Sequence, residues 1–140
     1  MTGVTHGPHR IVNPDGLLPP VGFSHAVVAA PGRLVHLGGQ TGHHADGSLP
    51  VGLVAQFEQA ARNLVVALDA VGATPEHLTA LQIYVTDMAG YRESLRDLGA
   101  AYRRHLGRHY PAVALLGAAG LFDPDALVEL VATAVIPGDD

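Results

Sequence analysis

The chain has 140 residues, is 48% hydrophobic and 15% charged, and carries a formal charge of −5, which suits one globular domain with a modest core. All eight basic residues are arginine and cysteine is absent, so Schiff-base chemistry on a lysine, thiolate attack and disulfide stapling are excluded. No basic run exceeds Arg103-Arg104 and no segment approaches ~20 unbroken apolar residues, so neither a nucleic-acid surface nor a membrane is expected as a partner.

The first 20 residues read as an edge strand, His9 to Asn13, followed by an irregular lead-in. Asn13-Pro14-Asp15-Gly16 carries a turn signal, and Leu17 to Gly22 is rich in proline. Ser24 to Ala30 and Arg33 to Leu37 read as short strands, and Pro31-Gly32 between them predicts a hairpin. Gly38-Gly39-Gln40-Thr41-Gly42 and a polar loop, His43 to Pro50, come next. From Leu53 to Val71, Phe57, Ala60, Ala61, Leu64 and Leu68 recur at helical spacing, with Gly72 as the C-terminal stop. Leu81 to Thr86 alternates as a strand does. A second helix is expected from Tyr91 to Leu106, with Tyr91, Leu95, Leu98 and Tyr102 on its buried stripe. Ala112 to Ala118 and Ala126 to Ile136 complete the strands.

The order is β-β-β-α-β-α-β-β, and two helices cover only one face of the resulting sheet. The last strand is nevertheless apolar on both sides: Val128, Leu130, Ala132 and Ala134 on one, Leu127, Val131 and Val135 on the other. A second copy of the chain is the simplest cover for the face without helices. With no cysteine and no apolar leader of signal-peptide length in MTGVTHGPHR, the expected compartment is the cytoplasm.

Gly22-Phe23-Ser24-His25-Ala26 and Leu37-Gly38-Gly39-Gln40 resemble two stretches of the RidA (YjgF-like) family. The helix from Gln56 to Gly72, with Gln59 and Asn63 four apart, is similar to its middle helix. Ile83 to Met88, Pro111-Ala112 and Ala126 to Ala132 resemble later segments, so the likeness runs from about Val21 to Ile136. The resemblance implies an α+β, chorismate-mutase-like fold: a six-stranded mixed sheet with two helices on one face. It also implies a homotrimer with a ligand cleft between subunits, and hydrolysis of reactive enamines and imines to ketones and ammonia with no metal or organic cofactor.

The departures from the family pattern fall at the ligand. Where active deaminases carry an arginine directly after Pro-Ala, this chain has Val113, which cannot supply a planar fork of donors to a carboxylate. Leu115 stands where a cysteine is often found, Leu95 where an asparagine is common, and neither Phe23 nor Ser24 offers a tyrosine hydroxyl. These changes make the pocket more apolar and disfavour an amino-acid-derived carboxylate.

Among candidate residues, Glu129 leads. As a strand residue it shares a face with Leu127 and Val131, where desolvation raises a carboxyl pKa and suits proton shuttling; it also matches the family's cleft glutamate. A place at the sheet rim, or an arginine partner across an interface, is the alternative. Gly39 and Gln40 belong to a segment that either lets a ligand approach the backbone or only turns the chain. His25 is a polar contact to the ligand or a satisfied, partly buried histidine. Phe23, Val113 and Leu115 complete the expected substrate contacts. His43-His44 lacks the spacing of a metal site and reads as a solvated loop, while His105 and His109 sit where they complement a helix dipole. Arg103 and Arg104 are surface, interface or substitute anion-holding groups, and Gln82 and Tyr84 read as interface packing. The functional expectation is an enamine/imine deaminase turned toward a less acidic substrate, or a non-catalytic small-molecule binding trimer of the same family.

Overall fold

The computed structural model describes residues 2–138, with backbone only over residues 2–6. In chain order its elements are β1 (Thr2–His6), β2 (His9–Asn13), β3 (Ala26–Val28), β4 (Gly32–Thr41), α1 (Leu53–Ala70), a 3-10 turn at Pro75–His77, β5 (Leu78–Val85), α2 (Met88–Glu93), α3 (Leu95–Leu106), β6 (Ala112–Gly117) and β7 (Val128–Pro137).

The apolar stripe of α1 is the base of the core. Phe57, Ala60, Ala61, Leu64 and Leu68 are buried completely or nearly so, because their three- and four-residue spacing keeps them on one side of the helix. The helix ends as expected. Gly72 takes φ +77°, its N–H donates to the Asp69 carbonyl, and the Ala73 N–H donates to that of Leu68, a Schellman closure that needs glycine at the left-handed position. The stripe packs on α3 and across β4 and β7, where Val128, Leu130, Ala132 and Ala134 of β7 meet it, all buried.

The fold is of the expected α+β class with a mixed sheet, but its strands divide between two sheets. One runs β4-β7-β5-β6, with β5 and β6 parallel and the other pairs antiparallel. The other is the antiparallel meander β1-β2-β3, in which β1 was not foreseen. The expected hairpin at Pro31-Gly32 is absent, because β3 pairs with β2 and β4 pairs with β7. Two contacts explain this. The Ala30 N–H donates to His9 Nδ1 at 3.0 Å, which ties the end of β3 to β2. Gly32 sits so close to the Ile136 backbone that a Cβ there would overlap its carbonyl, which draws β4 onto β7 from its first residue. Pro31-Gly32 is therefore a crossing between sheets, which are joined again by a bridge between Ser24 and Ala112 and by the contact of His9 Nε2 with the Val135 carbonyl at 3.2 Å.

The second expected helix is broken. Asp87 caps α2 by accepting from the Gly90 N–H at 2.9 Å, and Ser94, at φ −113° and ψ 15°, leaves the helical region. The break changes the phase, so Leu95 is 59% exposed while Leu98 and Tyr102 remain buried. Opposite the helices, the main sheet presents Gln82, Tyr84, Glu129, Val131 and Thr133, and register adds Leu34 and Leu116, both exposed. Among the described residues no helix is long and apolar enough to cross a membrane.

A polar clamp joins α1 to α3. Arg104 donates through Nε and Nη2 to both oxygens of Glu58, each at 2.9 Å, and His105 donates to the same carboxylate at 3.1 Å. The Arg104 hydrogen bonds first, and that from His105 second, hold the Glu58 carboxyl at about 2, below its usual 4.5. A depressed carboxyl pKa contributes stability that is present above the unfolded value and is lost as pH falls through the folded one. Acid titration should therefore cost the wild type more than Glu58→Gln between about pH 5 and pH 2, by less than ~1 kcal/mol because the pair faces solvent. Equal losses would contradict the clamp. Leu64→Ala, by contrast, should lower the unfolding free energy by about 2–5 kcal/mol in denaturant titration.

Candidate functional site

Since β7 buries Val128 and Leu130 against the helices, the two-residue strand period puts Glu129 on the uncovered face. Its cross-strand partners are Thr41 on β4 and Tyr84 on β5. The β4–β7 register slips between Leu37 and Gln40, which places Gly38 and Gly39 in the irregular stretch. A Cβ on Gly39 would overlap Glu129 Oε2 and lie 2.9 Å from its Cδ. The glycine is thus needed for close approach, and what approaches is the Glu129 side chain, lying back across β4. Glu129 is half-buried in the single chain and Gln40 half-buried beside it, its amide only 3.5 Å from the Gly38 carbonyl.

Polar side chains of α1 hold the loops around this carboxylate. Gln56, 3% exposed, donates to the Pro50 and Asp125 carbonyls at 3.2 Å and accepts from the Leu127 N–H at 2.8 Å. Asn63 donates to the Thr41 and His43 carbonyls at 3.0 and 2.8 Å, and is itself oriented by Gln59 at 2.9 Å. His43 bridges the Thr41 hydroxyl (2.6 Å) and the Asp123 carboxylate (2.8 Å), so it is not merely a solvated loop residue. Among the described residues no group of three or more His, Cys, Asp or Glu side chains is placed to hold a metal ion.

Val113 and Leu115 lie elsewhere. They pair in register with Leu81 and Ile83 and so project to the helix side at the β6 edge. Together with Phe23, Tyr91, Leu95 and Leu98 they line a cavity of about 690 Å³. The cavity also touches Tyr102, whose phenol burial keeps well above its usual range and whose hydroxyl donates to the His109 carbonyl at 2.7 Å. Among the described residues Arg103 is the only charged side chain in the lining. A smaller hollow of about 260 Å³ beside Gln82 and Ala114 is bordered by Phe23, His25 and Val113. His25 donates from Nε2 to the Leu18 carbonyl at 2.7 Å, its N–H donates to Asn13 at 2.8 Å, and Phe23 meets its ring edge-on at 5.0 Å. These contacts tie the lead-in to His25.

The expected site residues accordingly form two groups: Glu129, Gly39 and Gln40 around the open face, and Phe23, His25, Val113 and Leu115 at the β6 edge. Thr41, Asp123 and Gln56 were not anticipated in any functional or loop-holding role. For Asn63 the four-residue spacing from Gln59 was the available signal.

Residues 15–136 match the family model described as Endoribonuclease L-PSP. A structure described as a protein of unknown function of the Rid family, YyfB from Yersinia pestis, is 36% identical over 92% of this chain and 99% of its own, with a TM-score of 0.80. The chain belongs to the Rid (endoribonuclease L-PSP) family. Rv2704 from Mycobacterium tuberculosis, of the YjgF/YER057c/UK114 family, is 31% identical over 83% of this chain and 88% of its own (TM-score 0.60). RidA from an Antarctic Psychrobacter is 25% identical over 81% and 88% (TM-score 0.66). No curated protein matches.

In this Rid-family chain the Gly39–Glu129 contact can be tested on its own. Gly39→Ala should fold, with an unchanged circular-dichroism spectrum, but displace the Glu129 carboxylate from β4. A crystal structure of the variant with that carboxylate in its original place would contradict the contact.

Proposed function

We propose that the protein is an enamine/imine hydrolase acting on a small substrate whose reacting carbon bears no carboxylate, in clefts between copies of a homotrimer. The observation that carries the reading is the Glu129 carboxylate, half-buried over Gly39 on a sheet face without helices. Glu129 takes a proton from water as the water oxygen bonds to the iminium carbon. It then returns that proton to the nitrogen, and as the carbinolamine hydroxyl gives its own proton to a second base or to water the C–N bond breaks, releasing ammonia and the ketone.

Substrate contacts fall to Phe23, His25, Gly39, Gln40, Val113 and Leu115. Glu129 and Leu115 project to opposite faces of one sheet, which supports a cleft shared between the open face of one copy and the β6 edge of another. No cofactor enters the proposal. Val113 and Leu115 give the cleft an apolar wall in place of a carboxylate fork. That same wall favours the second reading, a non-catalytic member that binds small molecules. The endoribonuclease of the family's description is not carried over, because the net charge is −5 and Arg104 is committed to Glu58.

Ammonia release from freshly generated 2-aminoacrylate and from uncharged N–H imines decides among these. The uncharged imines should turn over faster, and Glu129→Gln should lose at least ~100-fold with the assembly intact. Val113→Arg should move the preference toward 2-aminoacrylate by about tenfold or more. Unchanged turnover in Glu129→Gln would remove its role, and tight binding with no ammonia from any substrate would favour the second reading.

A further inference from the structure

We propose that Thr41, His43 and Asp123 form a general-base relay on the same sheet face as Glu129, with the Thr41 hydroxyl as the group that meets water or substrate. The relay rests on the hydrolase reading only for the substrate it serves. Its geometry is a continuous chain: Thr41 Oγ1 to His43 Nδ1 at 2.6 Å, then His43 Nε2 to Asp123 Oδ2 at 2.8 Å. A carboxylate only accepts, so Nε2 carries the hydrogen donated to Asp123. A neutral imidazole protonated there must accept at Nδ1, and its donor is the Thr41 hydroxyl. That arrangement polarises a hydroxyl toward a base whose cationic form lies against a carboxylate, the division of labour of a hydroxyl–imidazole–carboxylate triad.

Three further observations set the relay apart from a chance contact in a loop. His43 and Asp123 come from segments 80 residues apart, and their side chains are only 29% and 33% exposed. Its backbone is fixed independently, because Asn63 binds the carbonyls of both Thr41 and His43 and Gln59 fixes Asn63. Asp123 is fixed too: the Asp125 N–H donates to its other oxygen at 2.9 Å, and that bond first, then the one from His43, holds its carboxyl below the usual range. Finally, Thr41 is the direct cross-strand partner of Glu129, and such pairs have Cβ atoms about 4.5–5.5 Å apart on one face.

The relay supplies a second base where imine hydrolysis needs one. After water has added to the iminium carbon and given its proton to Glu129, the carbinolamine must lose its hydroxyl proton while its nitrogen gains one. Glu129 protonates the nitrogen. The hydroxyl proton passes to Thr41 as Thr41 passes its own to His43 Nδ1, the carbonyl forms, the C–N bond breaks and ammonia leaves. The imidazolium, held by Asp123, then returns its proton to solvent. His43 and Asp123 are positioning residues in this scheme.

The first test needs no substrate. Long-range nitrogen–proton NMR of the imidazoles in the intact protein should find His43 protonated on Nε2 and bare on Nδ1 at neutral pH, and Asp123→Ala should release that tautomer. A proton on Nδ1 would overturn the relay, whether or not any imine is hydrolysed. In the turnover assay, Thr41→Val should lose at least ~10-fold and Thr41→Ser should recover most of it. Asp123→Asn should lower kcat with KM in place, because an amide permits the other imidazole tautomer, which a purely structural contact would not do. Full turnover in Thr41→Val would also overturn the relay. A wild type silent on every imine, but with the Nε2 proton and its dependence on Asp123 in place, would sink the hydrolase reading and leave the relay standing as a proton-abstracting site.

Discussion

The structure depends on the two-residue period of β7. This strand lies between β4 and β5 in the main sheet, and its even-numbered residues from Val128 to Ala134 close the core against α1. Burying those apolar side chains fixes the register, because a slip of one residue would turn every side chain to the other face. The same register leaves Glu129 on the side without helices, between Thr41 and Tyr84. The position of the candidate chemistry thus follows from core packing: the carboxylate stays outside because its neighbours must go in.

Around that carboxylate the chain exploits irregularity. The register slip in β4 and the absence of a Cβ at Gly39 let Glu129 lie across a strand that a regular ladder would have kept it off. The polar side chains of α1 complete the arrangement. Gln56 and Asn63 point from a helix that otherwise buries apolar residues, and each satisfies the backbone of a loop. A buried amide so used trades desolvation for hydrogen bonds that hold a loop in one place. Loops fixed in this way keep Thr41, His43 and Asp123 in line beside a rigid sheet.

What could be read from the residues alone follows the range of the interactions. The stripe of α1 and the alternation of β5 and β7 are local patterns, and those elements lie where their periodicity puts them. The hairpin at Pro31-Gly32 was misread because the turn residues are right while the pairing is decided by His9 and Ile136, 21 and more than 100 residues away. The break at Ser94 was missed because Tyr91, Leu95, Leu98 and Tyr102 fit one continuous helix equally well. The resemblance located Glu129 and Val113, but not their placement on opposite sides of a single sheet. The His43–Asp123 contact spans 80 residues, and no spacing rule reaches across that distance.

The central claim is that the open face, where Leu34 and Leu116 are exposed on the same side of the sheet as Glu129 and Val131, is completed by further copies of the chain. Sedimentation equilibrium at about micromolar concentration tests it most directly, since burial of an apolar face of this kind drives stable association. The account predicts a particle of three chains of 14.5 kDa each. A stable species with the mass of one chain would contradict it.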